Sequence, residues 1–493
     1  MRRTPFSSSS VLSLRTCLAL FLLVLSTAAS GEDARTQARQ KAKEAALAGV
    51  DAQKKELVGL SEKIWDFAET ALREHRSAEA LADYAEAQGF EVERGVAGMP
   101  TAFVASYGEG RPVLGILGEF DALPGLSQEA VPDRKVRHEG EAGHGCGHNL
   151  FGPASLGAAV AIQRLIESGQ LFGTVRFFGT PAEESVSGKV YMAREGLFSD
   201  LDAAIAWHPD TKLRVDTGSS QAMVDFVVEF KGRTAHAAFD PWNGRSAVDG
   251  LEIATHALNL LREHVRPSVR IHYAILGGGD VPNVVPETSR LWCWVRDSKR
   301  SGVEEVMERV EKIVQGAALA ADVEGQLKIQ SGVYELLTNF AGARAMQKNL
   351  ESLGPVQWSE EDQAFARRLQ ESSGVEPLGL STEVEPLDEN PGDPRGGSTD
   401  VADVSWLVPT IHFSAPAAPV GIPWHAWPVV ASAGSPVGQR GMHHAARAMA
   451  LTLVDLFTDE NLRAEMRREF EVSTEGHTYR PYIPEGPPPI PEP

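Results

Sequence analysis

Cysteine is scarce: 493 residues hold three, Cys17, Cys146 and Cys293. That number excludes a disulfide framework, so a chain of this length must rely on packed cores. Membrane-length apolar runs are missing too. The run from Cys17 to Leu25 has nine residues, too few for the ~30 Å of bilayer hydrocarbon, and no later stretch reaches the ~18 that a spanning helix needs. Because Arg2 and Arg3 precede it and small residues up to Ser30 follow, residues 1–30 read as a cleavable signal, and the mature protein is expected to be exported, periplasmic or secreted. Positive charge is in deficit as well. Forty-seven bases face 67 acids, a formal charge of −20, and no Lys/Arg stripe offsets it, which disfavours nucleic acid as a partner. What the chain does have is 42% apolar and 23% charged residues, a globular mixture, at a length that calls for two domains or more.

The order of elements suggests how those domains are arranged. Residues 32–89 carry helix-spaced apolar residues such as Leu57, Leu60, Ile64 and Phe67. Short β-rich runs then alternate with helical ones: 102–107, 113–117, a helix near 155–168, 175–179 and 203–207. This alternation predicts an α/β catalytic domain with a largely parallel sheet flanked by helices, its first part spanning 31–218. Residues 219–336 read strand, helix, strand, strand, helix, strand, the order of a ferredoxin-like (βαββαβ) unit, here an inserted dimerisation or lid domain. The catalytic domain resumes over 337–478, with a strand at 409–414 and a long helix at 442–457. Residues 354–400, rich in Glu, Pro, Gly and Ser, read as an irregular excursion. The Pro-rich tail, 479–493, reads as an extended or disordered end.

Ligands of open α/β sheets gather beyond the carboxyl ends of the strands, and polar residues cluster there. After 113–117 comes GEFDALPG with Glu119 and Asp121, then GHGCGHN with His144, Cys146 and His148. TPAEE with Glu183 and Glu184 follows 175–179, His208 follows 203–207, and PWHAW with His425 follows 409–414. Taken singly, Asp121 also suits a turn, Glu183 and Glu184 a solvated acidic pair, and each His a hydrogen-bonded structural residue. Two His and one Cys within five residues, set among glycines, are harder to explain as packing. Thiolate, imidazole and carboxylate together suit zinc, and the carboxylates tolerate manganese or cobalt.

GEFDALPG, GHGCGHNLFG, TPAEE, TAHAA, PNVVP and GSTDVADVSW, in that order between about Glu56 and Phe457, resemble metallopeptidase family twenty of clan MH. Glu119 and Asp121, where many members have an HxD motif, together with Cys146 point to its aminoacylase branch, and GSTDVADVSW to the aminobenzoyl-glutamate hydrolases within it. The resemblance implies two divalent ions per chain, with Cys146, His148, Glu184, His208 and His425 as ligands and Glu183 as general base. Asp121 would orient a ligand from behind. The implied reaction is hydrolysis of the amide bond of N-acyl amino acids or dipeptide-like substrates by metal-activated water. The partner is then a small amide with a free carboxylate, and the assembly a homodimer in which His236 serves the partner's site.

His236 and Asn283, in loops of the insert, are candidate oxyanion donors; they also suit a surface histidine and a turn. Arg290 and Arg296 share a strand face, and Arg296 is the candidate clamp for the substrate carboxylate. Trp424 and Trp427 flank His425 as either an apolar wall or ordinary rim residues. Two other readings compete with this one: a cysteine hydrolase using Cys146 with His144 or His148, and a metal-dependent binder of acylated amino acids that does not cleave them.

Overall fold

The computed structural model describes residues 34–392, 394 and 396–491. The expected signal segment lies outside these residues. Among them, no helix is long and apolar enough to cross a membrane.

The larger sheet contains β1 (Glu91–Arg94), β2 (Phe103–Glu109), β3 (Val113–Gly118), β4 (Gly173–Gly179), β5 (Ala203–Asp210), β6 (Arg214–Val215) and β11 (Thr410–Pro416). Its order is β1-β2-β4-β3-β5-β11-β6. The four central strands β4, β3, β5 and β11 run parallel, and antiparallel strands close both sides. β3 is buried along its whole length, as a strand covered on both faces must be. The covering helices are α1 (34–52), α2 (Lys54–Phe67), α3 (His75–Ala87), α4 (His148–Glu167) and α5 (Gly188–Arg194) from the first half of the chain.

Of these, α4 is the central one. Nearly all its residues are buried, and it lies so close to α2 that a Cβ on Gly157 would come within 2.4 Å of Leu57. Its first residue is His148, so the GHGCGHN motif ends where the helix begins. Gly147, at φ 78°, makes the left-handed turn into it.

The smaller sheet is wholly antiparallel: β7 (Ala222–Lys231), β8 (Arg270–Gly277), β9 (Thr288–Asp297) and β10 (Glu324–Val333), ordered β10-β7-β9-β8. Helices α6 (Ala247–Leu261) and α7 (Arg300–Ala321) join its strands and bury their apolar faces in a separate core with Phe226, Leu291 and Val295. Strand β9 alternates buried and exposed residues, so Arg290, Trp292, Trp294 and Arg296 share the face away from that core.

The chain then returns to the larger domain through α8 (Phe340–Leu353), α9 (Glu360–Ser372), α10 (Val401–Ser405), α11 (Trp427–Ala433), α12 (Pro436–Thr458) and α13 (Glu460–Ser473). Helix α9 corrects the reading of 354–400 as irregular. Ser359 and Asp362 form a reciprocal capping box at its start, and Ala366 packs with Leu380 and Val437 in a small satellite core. The tail is extended over its described residues, as expected, but it is anchored. Tyr479 donates to Asp403 at 2.8 Å, and the Arg300 guanidinium lies 3.7 Å from the ring centre of Tyr482. It thus crosses the junction of the two domains, where Met223, Val333 and Val190 meet Ile483.

Candidate metal centre

Every polar group of the centre leaves the carboxyl end of a parallel strand or the loop behind it. Asp121, wholly buried, sits at the middle of the arrangement. One oxygen accepts a hydrogen bond from His148 Nδ1 at 2.9 Å, and the other accepts from the backbone N–H of Glu184 at 2.9 Å. A carboxylate accepts and does not donate here, so the His148 proton is on Nδ1 and Nε2 points the other way. His208 is held alike, with Nδ1 donating to the Pro209 carbonyl at 2.7 Å and Nε2 lying 3.4 Å from Cys146 Sγ. His425, partly exposed and at a left-handed φ of 54°, donates its N–H to the Gly145 carbonyl and brings Nε2 to 3.4 Å from Glu184.

Three overlapping sets of donor atoms result: Cys146, His148 and His208; Cys146, Glu184 and His425; and Glu119, His148 and Glu183, each within 4.8 Å of one another. The structure therefore brings Asp121, Cys146, His148, Glu183, Glu184, His208 and His425 together. Cys146 belongs to two of the sets, the position from which one sulfur could bridge two ions.

The donors fit a cation on two further observations. His148 Nε2, Glu119 Oε2 and Glu184 Oε1 are buried without a hydrogen-bond partner, which is costly unless something positive meets them. The charges agree. Burial raises Glu183 well above the carboxylate range, helped by Glu119 and Glu184, and burial, with Asp121 and Glu119, lifts Glu184 to about 7. Burial also drives the Cys146 thiol up, with Glu184 beside it. His148 moves the other way: burial pulls it down, but Cys146 and Glu119 hold it well above an ordinary imidazole. A nest that resists negative charge and grips a proton is one that accepts a metal ion and releases that proton.

The turn carrying Glu183 is fastened from behind. Ala182 has φ 61°, a strained value for a residue with a Cβ, and its N–H donates to Glu74 Oε1 at 2.9 Å. Burial and the nearby Asp121 raise Glu74 to about 8. Sequence reasoning assigned no role to Glu74 or to the buried pair Lys189 and Asp400. Asp400 lies within GSTDVADVSW, yet nothing local marks its use. His144, by contrast, donates from Nε2 to the Ile64 carbonyl at 2.9 Å, and burial lowers it to about 4. A histidine turned away, beside a thiol that resists ionisation, is a poor cysteine-hydrolase pair.

His236 and Asn283 lie together in the insert: the Ala237 N–H donates to the Asn283 carbonyl at 3.0 Å, and His236 bridges to Val284. Both are exposed. Among the described residues, neither forms a hydrogen bond or ion pair with the donor cluster of its own chain. Arg290 is engaged by Glu229 at 3.2 Å. Arg296 has no carboxylate within ion-pair distance among the described residues; it lies over Trp294 and reaches Ser398 of the catalytic domain at 3.5 Å. The Trp424 ring stands 6.5 Å from that of His208, and Trp427 opens α11.

Residues 219–322 match the peptidase dimerisation domain. The chain is 36% identical over 469 residues to one of the two subunit types of the p-aminobenzoyl-glutamate hydrolase of Escherichia coli, covering 90% of this chain and 97% of the relative. It is 28% identical over 437 residues to Xaa-Arg dipeptidase of Mus musculus, covering 86% and 90%. A dinuclear metal-binding peptidase of Bacillus subtilis shares the fold with a TM-score of 0.56 at 16% identity, over 83% of this chain and 99% of that one. With a relative this similar over nearly its whole length, the chain belongs to metallopeptidase family twenty, on the branch of the p-aminobenzoyl-glutamate hydrolases.

Proposed function

We propose that the protein hydrolyses the amide bond between an acyl group and an amino acid that keeps a free carboxylate, aminobenzoyl-glutamate being the type compound. The observation that carries this reading is the convergence of Cys146, His148, Glu184, His208 and His425 beside Glu183. Those five would hold two divalent ions, zinc or manganese by their mixed chemistry, supplying an acidified water and a Lewis acid for the carbonyl. Glu183 takes the proton of the attacking water and returns a proton to the departing amine. Asp121 keeps the His148 ring in register, and Glu74 holds the backbone that aims Glu183.

The guanidinium of Arg296 receives the substrate carboxylate, and Trp424 walls the acyl side. His236 Nδ1 accepts from the N–H groups of Ala238 at 3.2 Å and Phe239 at 3.1 Å, which leaves Nε2–H as a donor for the carbonyl oxygen of a partner chain's substrate. Exposed Ile275 and Leu276 on edge strand β8, with Leu260 on α6, support side-by-side pairing of two inserts. Export after removal of residues 1–30 belongs to the same proposal and rests on the N-terminal pattern alone.

The test is hydrolysis of aminobenzoyl-glutamate by protein stripped with chelator and then given zinc or manganese. Activity should vanish and return. Glu183→Gln should keep its metal but lose ~10²-fold or more in turnover, while Glu184→Gln should lose metal. Activity that survives chelation would favour the thiol mechanism, metal without turnover a binder, and identical behaviour of the two variants would refute the division of labour.

A further inference from the structure

Lys189 is the one lysine among the described residues whose side chain is wholly buried, and it lies behind the metal centre rather than in it. The turn that delivers it is tight: a Cβ on Gly188 would meet the Pro181 carbonyl at 2.1 Å, so the chain folds back under the segment bearing Glu183 and Glu184. The ammonium donates to Glu119 Oε1 at 2.6 Å and to Asp400 Oδ1 at 2.6 Å. The other oxygen of Asp400 accepts the backbone N–H of Lys189 at 2.9 Å. Asp400 stands at the N-terminal end of α10, where its usual work is to cap the helix, yet it makes no cap hydrogen bond. Its carboxylate is turned to the lysine instead.

Glu119 is thereby fixed by one oxygen. The other, Oε2, has no hydrogen-bond partner and faces His148 Nε2 at 3.1 Å, itself unpartnered. The same carboxylate forms a donor set with His148 and Glu183. We propose that Lys189 is a positioning residue for amide hydrolysis: clasped by Asp400, it holds Glu119 so that Oε2 sets the placement of His148 and Glu183.

Burial draws the ammonium towards neutrality, but Asp400 and Glu119 more than offset it and keep it charged. As a stabilising device the arrangement is weak, since a buried ion pair is often no better than apolar residues of like volume. Its use is geometric, because it ties the end of β3 to the segment entering α10, more than two hundred residues away.

This inference rests on the proposed function, and its test separates the two. Lys189→Met and the double variant Lys189→Met/Asp400→Asn, which restores the native net charge of the buried cluster, are loaded with cobalt(II) beside the native protein. Three quantities are compared: the visible absorption bands of the bound cobalt, kcat and KM for aminobenzoyl-glutamate, and Tm. Lys189→Met should bind cobalt in native amount with shifted bands, and kcat should fall about 10²-fold, the scale of a displacement near 1 Å. KM should stay within about threefold, since no substrate contact is lost. The double variant should recover Tm but neither the native bands nor kcat. Recovery of all three would make Lys189 a brace of the fold and overturn the proposal, as would native bands and kcat in Lys189→Met. If Lys189→Met fails to fold, the double variant decides alone. A native protein that hydrolyses nothing would sink the proposed function, while the cobalt bands still judge the positioning.

Discussion

Replacing Asp121 by Asn removes one charge and exchanges one oxygen for an NH2 group, with almost no change of shape. The native carboxylate accepts two hydrogen bonds, from His148 Nδ1 and from the Glu184 N–H, both at 2.9 Å. An amide can accept only one of them. If its oxygen stays on Glu184, the NH2 faces His148 Nδ1 and forces the proton onto Nε2, the atom aimed at the centre. If its oxygen turns to His148, two N–H groups oppose each other at Glu184 and the turn carrying Glu183 shifts. Either way about 1.5–3 kcal/mol of charge-assisted hydrogen bonding is forfeited, equivalent to roughly 10- to 100-fold in affinity, the range usual for a partner behind a metal ligand. Competition with a coloured chelator should show that loss in one binding step and a smaller change in the other, since His208 and Cys146 are not touched by Asp121. Excess metal should restore only part of kcat, because the Glu183 turn is disturbed as well. Unchanged affinity in both steps would refute the account of Asp121 as the group that orients His148.

Other consequences are as direct. Arg296→Lys keeps the charge but loses the planar fork, so KM should rise about tenfold or more for substrates with a free carboxylate; equal hydrolysis of an amidated analogue by the native protein would remove the reason for the clamp. Mixing inactive His236→Ala chains with inactive Glu183→Gln chains should restore activity in about half the sites of each mixed dimer; confirmed exchange without activity, or a monomeric native protein, would end the shared-site reading. Glu74 titrates at about 8 when folded against an ordinary 4.5, so its contribution to stability is full below about pH 4.5 and is lost as pH rises through 8, with a slope of at most ~1.4 kcal/mol per unit. Calorimetry of metal-free protein between pH 5 and 9 should find a fall in Tm that Glu74→Gln flattens, and equal slopes in both would show that Glu74 is not the group.

Why part of this was legible in the sequence and part was not follows from how far apart the partners lie. His148 is the first residue of α4 and Cys146 stands two before it, so one short motif carries both residues and the glycine that turns the chain between them. Strands β3, β4, β5 and β11 show as short apolar runs, and the residues just beyond them must point into one crevice because parallel strands end on the same side. That logic places Asp121, Glu183, His208 and His425 without any knowledge of distances. The groups behind them obey no such rule: Glu74 meets Ala182 across 108 residues and Lys189 meets Asp400 across 211. Each looks locally like an ordinary charge, on the edge of a helix or in a turn, and only closure of the tertiary structure removes it from water. Helix α9 escaped for a related reason, since six of its thirteen residues are charged and the two that matter for packing, Ala366 and Leu369, are few against that background. Local motifs reveal the groups that meet the substrate or metal, because those sit at chain turns with special backbone needs. The buried charges that hold them in place are revealed only by what they touch, and for that reason Lys189, Glu119 and Asp400 are where substitution can separate the geometry of this centre from its composition.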